Sequence, residues 1–392
     1  MSSKLVILEA MPAAADFYGL YWNKRPFVVP GAIAEDVIGD LITADELAGL
    51  AMEDGPLSRM VKAAGAERDW SCRFGPFTEQ DYKNAGDEDW SLLVQNVEQF
   101  HTNTASLLRY FNFAPRWLMD DIMVSYSGVG GSVGPHIDSY HVFLVQGQGR
   151  RRWKIGRQVV AQEVHIEGLD LKVLKGDFVG DEIEVGCGDV LYLPPKFAHQ
   201  GTTLTPSLTF SVGFLGPKLS ELLGGYANYL SEHEDLDRRY VGDGLDGDSA
   251  GFTLASGVVG NLSGNLVDQL QGIDFNRWLV QYFTEPGHED FANEDEREDP
   301  LSTAAFKAEL EQGGRLAKPE YIKFALTQVG PEKFYLGFNG QSFAFTQSQL
   351  SVIEELMKEQ PVRFIESAEV MDHPATLEFL RTLYNHRGLE LA

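Results

Sequence analysis

Only two cysteines, Cys72 and Cys187, occur in 392 residues. They make no disulfide framework and lack the spacing of a zinc site, so a reducing compartment suits the chain. Basic residues are also scarce, with 32 Lys and Arg against 58 Asp and Glu and a net charge of −26. Phosphates would be repelled by that field, so direct nucleic-acid binding is not expected, whereas a basic partner fits the sign. No apolar run approaches the roughly 18 residues that a membrane helix needs. The N-terminal Leu5-Val6-Ile7-Leu8 is cut short by Glu9 after a single lysine, so neither a membrane span nor a secretory signal is expected and the expected location is cytoplasmic. Internal repeats are lacking too.

With 43% hydrophobic residues, the chain has enough apolar material for a large core and for two or three domains. The stretch with the most chemistry is Gly134-Pro135-His136-Ile137-Asp138-Ser139-Tyr140. On a strand, a histidine and an aspartate two apart point to one face and can grip one metal ion. Three other His-x-acid pairs occur, at His165/Glu167, His233/Asp235 and His288/Asp290, and the last two lie in polar, acid-rich runs of the solvated kind. Only His136 opens a strong strand pattern, Tyr140–Gln146, which is expected to turn at Gly147-Gln148 and return as Gly149–Ile155. Such a hairpin would set 144 opposite 151 and 142 opposite 153, bringing His136, Asp138, Tyr140, Val142, Leu144, Arg151 and Trp153 to one face. Arg150 and Arg152 would face away.

The third metal ligand is expected from Gly188–His199, where a tight turn feeds an apolar strand, Pro194-Pro195 stops it and His199 follows. Two histidines and one carboxylate form a facial triad with open coordination positions, which suits a non-haem Fe(II) oxygenase. Strand Asp121–Ser127 alternates with Met123, Ser125 and Ser127 on one face and runs into the glycine-rich loop before His136, so Ser125 is a candidate co-substrate contact.

These residues resemble the Jumonji-C family of 2-oxoglutarate oxygenases. The resemblance rests on His136-x-Asp138, on Arg151 fifteen residues after the first ligand, and on the segment Gly188-Asp189-x-Leu191-Tyr192-x-Pro194-Pro195-x-x-x-His199. Further strings, Tyr21–Pro26, Asp89–Gln95 and Gly147–Trp153, resemble the bacterial ribosomal oxygenase branch of that family. The resemblance implies Fe(II) on His136, Asp138 and His199, with 2-oxoglutarate as co-substrate and O2 as oxidant. It also implies that Arg151, where the wider family more often has lysine, holds the far carboxylate of 2-oxoglutarate through its bidentate fork. The implied substrate is an arginine β-carbon on a basic large-subunit ribosomal protein, the one numbered sixteen. A histidine hydroxylase, a histone demethylase, a cupin-like enzyme without 2-oxoglutarate and a non-catalytic barrel that binds a basic partner are the alternatives.

The expected fold is α+β. Residues 1–217 read as a double-stranded β-helix of the jelly-roll, cupin-like type, with short alternating strands and Gly and Pro turns. Within them, Thr43-Ala44-Asp45-Glu46 is a capping box, and Trp90–Leu108 carries apolar residues at helical spacing. Residues 218–300 are expected to form a helical dimerisation region, with helices Leu219–Leu230 and Leu262–Phe283, followed by an acidic linker Glu289–Asp299. The homodimer follows from the resemblance and from the excess of Phe, Trp and Tyr there. Residues 301–392 are expected to be a small winged-helix-like module with too few Lys and Arg for DNA readout.

Overall fold

Two long antiparallel strands, β7 (His141–Val159) and β10 (Phe197–Phe214), run side by side for almost their whole length and belong to a ten-stranded sheet. This computed structural model describes residues 4–64, 69–233, 236–245, 252–286, 296–358, 361–364 and 367–391. His288/Asp290, Asp235 and residues 289–295 of the acidic run lie outside the described residues. The chain divides into two compact units, 1–216 and 217–392.

In the first unit the strands before β7 are β1 (Val6–Ile7), β2 (Phe27–Val29), β3 (Ser58–Ala64), β4 (Asp69–Phe74), β5 (Trp90–Val94) and β6 (Met119–Ser127). β8 (Gly180–Val185) and β9 (Val190–Leu193) lie between β7 and β10 in sequence. The order across the sheet is β1-β2-β9-β7-β10-β6-β5-β3-β4, with β8 joining β7 off that path. The first half of β7 lies between β9 and β10, and its second half lies between β8 and β10. β7 therefore exchanges its second neighbour, β9 for β8, along its length.

The expected hairpin at Gly147-Gln148 is not formed. β7 continues straight through, so Leu144 faces Ser211 rather than Arg151, and Arg151 faces Thr203 and Val185. Arg151 nonetheless reaches the same face as Leu144, because irregular pairing between Arg150 and Leu144 resets the alternation. Gly149 makes this possible: its φ is +70°, and a Cβ there would lie 2.1 Å from the Pro206 carbonyl oxygen. A glycine in the left-handed region within a ladder is the signature of a bulge. Gly149→Ala should lower stability by roughly 1–3 kcal/mol, the usual cost of a strained backbone position. A denaturant midpoint equal to that of the native chain would contradict this.

Other expectations meet different outcomes. The capping box is present, with Thr43 and Glu46 bonding reciprocally at the start of helix Ala44–Leu50. The segment Trp90–Leu108 is not one helix: Trp90–Val94 is a wholly buried strand, followed by short turns of helix at Val97–Phe100 and Thr102–Ala105. Burial on both faces removes the alternation that would mark a strand, so a continuous apolar run imitates helical spacing. The Leu262–Phe283 run is two helices, Ser256–Gln271 and Ile273–Tyr282, broken at Gly272.

Phe143 and Val145 point from β7 into a core shared with the N-terminal segment. Phe143 packs its ring 4.6 Å from that of Phe111 and 4.9 Å from that of Tyr192. Trp22 stacks on His141 at 3.5 Å, and the Tyr192 hydroxyl lies 2.8 Å from His141 Nδ1. Each aromatic pair adds about 0.5–1.5 kcal/mol beyond its buried area, so this layer holds β7 and β9 firmly behind the opposite, site-lining face.

The second unit holds helices Leu219–Glu232, Ser256–Gln271, Ile273–Tyr282, Thr303–Glu311, Gln347–Leu356 and Pro374–Asn385, with two three-stranded sheets. One sheet joins Ala325–Gln328, Lys333–Phe338 and Gln341–Thr346; the other joins Arg315–Ala317, Val362–Arg363 and Glu390–Leu391.

Candidate metal centre

His136 and His199 face each other across a two-way backbone bridge. The His136 amide donates to the His199 carbonyl at 3.0 Å, and the His199 amide donates to the His136 carbonyl at 2.9 Å. This single bridge replaces the strand expected around His136; Asp138 is held by the Lys196 amide, which donates to its carbonyl at 2.9 Å, the chain bends at 139–140, and the regular strand starts at His141. His199 lies in β10 itself. The Nδ1 of His136 lies 2.9 Å from the Gly134 carbonyl, and that of His199 lies 3.0 Å from the Phe197 carbonyl. A carbonyl can only accept, so each Nδ1 carries a proton, which leaves each Nε2 as the ring atom able to ligate. Both Nε2 atoms point at Asp138, at 3.9 Å from Oδ1 for His136 and 3.4 Å from Oδ2 for His199.

The three ligand atoms lie within 4.8 Å of one another, the one such cluster among the described residues. Burial, and then the neighbouring His199, hold His136 down at about 4, so it is neutral and free to ligate at physiological pH. Two imidazoles and a carboxylate form a donor set suited to a divalent first-row metal such as Fe(II). The other His-x-acid histidines do different work: His165 lies 3.5 Å from Glu163, and His233 Nδ1 lies 2.7 Å from the Tyr229 carbonyl.

A cavity of about 330 Å³ opens beside the cluster, walled by Ser125, Tyr140, Leu144, Arg151, Trp153 and Thr209 among others. Arg151 is 3% exposed and lies with its guanidinium 5.0 Å from the Trp153 ring. Its Nη1 donates to Thr209 Oγ1 at 3.4 Å; that hydroxyl donates to Gln146 Oε1 at 3.2 Å, and Gln146 Nε2 bonds the Gln148 carbonyl at 2.7 Å. Arg151 is thus anchored to the bulge that aims it. Gly201 leaves space for it, since a Cβ there would lie 2.7 Å from Arg151 Nε. That Nε is buried without a partner, and no ion pair involving Arg151 occurs among the described residues. Burial lowers its pKa to about 10, which leaves it charged at neutral pH. A buried, unpaired guanidinium is costly, and this one fits a ligand carboxylate. Arg150 and Arg152 point outward, each 2.7 Å from Glu184.

Ser125 lines the cavity, paired with Thr209 across β6 and β10, and its hydroxyl lies 3.5 Å from the Thr209 carbonyl. Further contributors escaped sequence reading, among them Arg59 and Ser211 in the cavity wall. Thr209 and Gln146 carry no motif, and Asp170–Lys172 enters the wall from an irregular loop. Asp121 lies on the same face of β6 as Met123 and Ser125, and the alternation that singled out Ser125 includes it. Asp121 Oδ2 is buried with no partner. A Cβ on Gly213 would lie 3.4 Å from Asp121 Oδ1 and 3.7 Å from the Tyr140 ring, so the acid and the aromatic ring both border Gly213.

The JmjC domain family matches residues 106–222, the stretch that carries His136, Asp138, His199 and Arg151. The chain is 42% identical over 229 residues to the ribosomal protein uL16 3-hydroxylase of Escherichia coli (strain K12), and 39% identical over 219 residues to a probable ribosomal oxygenase of Haemophilus influenzae. These matches cover 58% and 55% of the chain, and the chain spans only 59% and 53% of the two relatives' lengths. In structure it is similar to E. coli YcfD, with a TM-score of 0.81 at 29% identity, over 96% of this chain and 97% of that one. A structure of YcfD, a ribosomal oxygenase from E. coli, in complex with cobalt and 2-oxoglutarate matches with a TM-score of 0.78 at 29% identity, again over 96% and 97% of the two chains.

Proposed function

We propose that this chain is an Fe(II)- and 2-oxoglutarate-dependent oxygenase that hydroxylates the β-carbon of an arginine on the large-subunit ribosomal protein uL16. The observation that carries the co-substrate is Arg151, a buried cation without an anion, set in the same cavity as two histidines and an aspartate. His136, Asp138 and His199 would hold the metal. Arg151 would hold the far carboxylate of 2-oxoglutarate, with the Ser125 and Thr209 hydroxyls beside it. With O2, iron and 2-oxoglutarate supply the oxidising power, yielding succinate, CO2 and a hydroxylated carbon. The chain's own contribution is to orient these groups and to keep the cavity walled by Leu144, Val142 and Trp153 against water.

The relative's substrate protein sets the substrate class, and the pocket supports arginine within it. A guanidinium needs a carboxylate and aromatic or hydroxyl neighbours; Tyr140 lines the cavity, and Asp121, with its bare Oδ2, borders Gly213 beside it. Asp121→Asn should raise KM for an arginine peptide of uL16 at least tenfold, the scale of a lost charged hydrogen bond of ~1.5–3 kcal/mol, while the metal still binds. The deciding experiment is mass spectrometry of the peptide after incubation with enzyme, Fe(II), 2-oxoglutarate and O2. An added oxygen on histidine, or none, would reject the arginine assignment.

The net charge of −26 favours encounter with a basic substrate protein over nucleic acid, and no described helix is long and apolar enough to cross a membrane. We assign residues 218–300 to self-association because Val259, Leu262 and Leu266 form an exposed stripe on one helix, with Leu219 and Leu223 exposed on another. Residues 301–392 are assigned to a winged-helix-like module, and the cytoplasm to the whole chain. Light scattering at micromolar concentration should give twice the chain mass; a monomer would remove the dimer from this scheme.

A further inference from the structure

Glu98 is 1% exposed, and a carboxylate in such a place must be bonded or neutral. Its Oε2 accepts the amide of Ile122, the residue after Asp121, at 2.8 Å, and Gln99 Nε2 reaches Oε1 at 3.4 Å. Two residues before Glu98, Asn96 adopts a left-handed φ of 54°, and its backbone N–H is hydrogen-bonded to the Asp121 carboxylate. The connection between β5 and β6 thus holds the Asp121 main chain from one side and its carboxylate from the other. Asp120 lies beside Asp121 on β6, Arg59 faces it from β3, and Tyr140 faces it from the metal-binding segment. Neither Glu98 nor Asp121 forms an ion pair among the described residues, and Asp121 Oδ2 stays bare.

We propose that Glu98 is a positioning residue for the guanidinium subsite: it fixes the main chain beside Asp121 through the Ile122 amide, and it holds a proton against the nearby Asp121 charge that is released when a substrate arginine arrives. This rests on the assignment of Asp121 above. Burial, and then the Asp121 charge, pushes Glu98 up to about 8; burial, and then Asp120, pushes Asp121 up to about 7. Near neutral pH the empty subsite therefore keeps protons on its acids. A guanidinium against Asp121 cancels the charge that held the proton on Glu98, so binding releases protons. The ionised acids bind substrate, so affinity is full above these pKa values and is lost as pH falls through them.

Two measurements test this. The first follows the side-chain carboxyl carbons by NMR in the native protein and in Asp121→Asn. The Glu98 midpoint should fall by a resolvable amount once Asp121 is uncharged, and an unmoved midpoint would overturn the proposal. The second is the pH dependence of KM for an arginine peptide of uL16 in the native enzyme, Asp121→Asn and Glu98→Gln, whose amide oxygen can still accept the Ile122 N–H. Below the lower midpoint the native KM should rise more than about tenfold per pH unit, the limit for one proton, and Glu98→Gln should return it to that limit. A merely structural Glu98 would leave the slope unchanged. Identical slopes, with Asp121→Asn still raising KM, would sink the role of Glu98 alone; an Asp121→Asn variant with native KM would remove the subsite and this proposal together.

Discussion

Replacing His199 by alanine should abolish turnover and metal retention together. The imidazole is 2% exposed, presents Nε2 to Asp138 at 3.4 Å, and has its tautomer set by the Phe197 carbonyl. Loss of an outer-shell partner alone costs about 10–100-fold in metal affinity, so loss of a ligand should exceed a hundredfold. Titration calorimetry with Mn(II) would measure it, with far-UV circular dichroism to show that β10 has stayed in the sheet. A His199→Ala protein that still retained one tightly bound metal would refute the triad.

Arg151→Ala should separate metal binding from co-substrate binding. The carboxylate that Arg151 would hold is left unpaired in a closed pocket, a loss of roughly 2–5 kcal/mol, or about thirty- to several-thousand-fold in affinity. Turnover should collapse at ordinary 2-oxoglutarate concentrations, while Mn(II) binding by His136, Asp138 and His199 persists. Arg151→Lys should recover part of the charge but not the fork that bonds Thr209 and a carboxylate at once. An unchanged affinity for 2-oxoglutarate in the alanine variant would eliminate this assignment.

Much of the site could be read from the chain because its ligands sit in short strings whose geometry is local. His136 and Asp138 are two apart, and His199 follows a glycine turn and a proline stop. What could not be read depended on register. Glycine turns a hairpin and bulges a strand with the same left-handed freedom, so Gly147–Gly149 was ambiguous, and only the pairing with β10 decides it. Thr209, Gln146 and Glu98 became visible only once distant strands met, since each acts through a partner at least 24 residues away. Asp121 was within reach of alternation alone, but nothing local distinguishes a buried acid beside a cavity from one facing solvent.

The bulge at Gly149 has a consequence for error tolerance. Side-chain direction along a strand is binary, so a slip of one residue would normally exchange what faces the pocket for what faces water. Here the three consecutive positions Arg150, Arg151 and Arg152 all carry a guanidinium. A chain that mispaired by one step in either direction would still deliver a cation to the cavity and leave another for Glu184 on the outer surface. The triple arginine therefore acts as a guard band beside the irregular stretch of β7 between Gln146 and Arg151, where the ladder is least able to keep count.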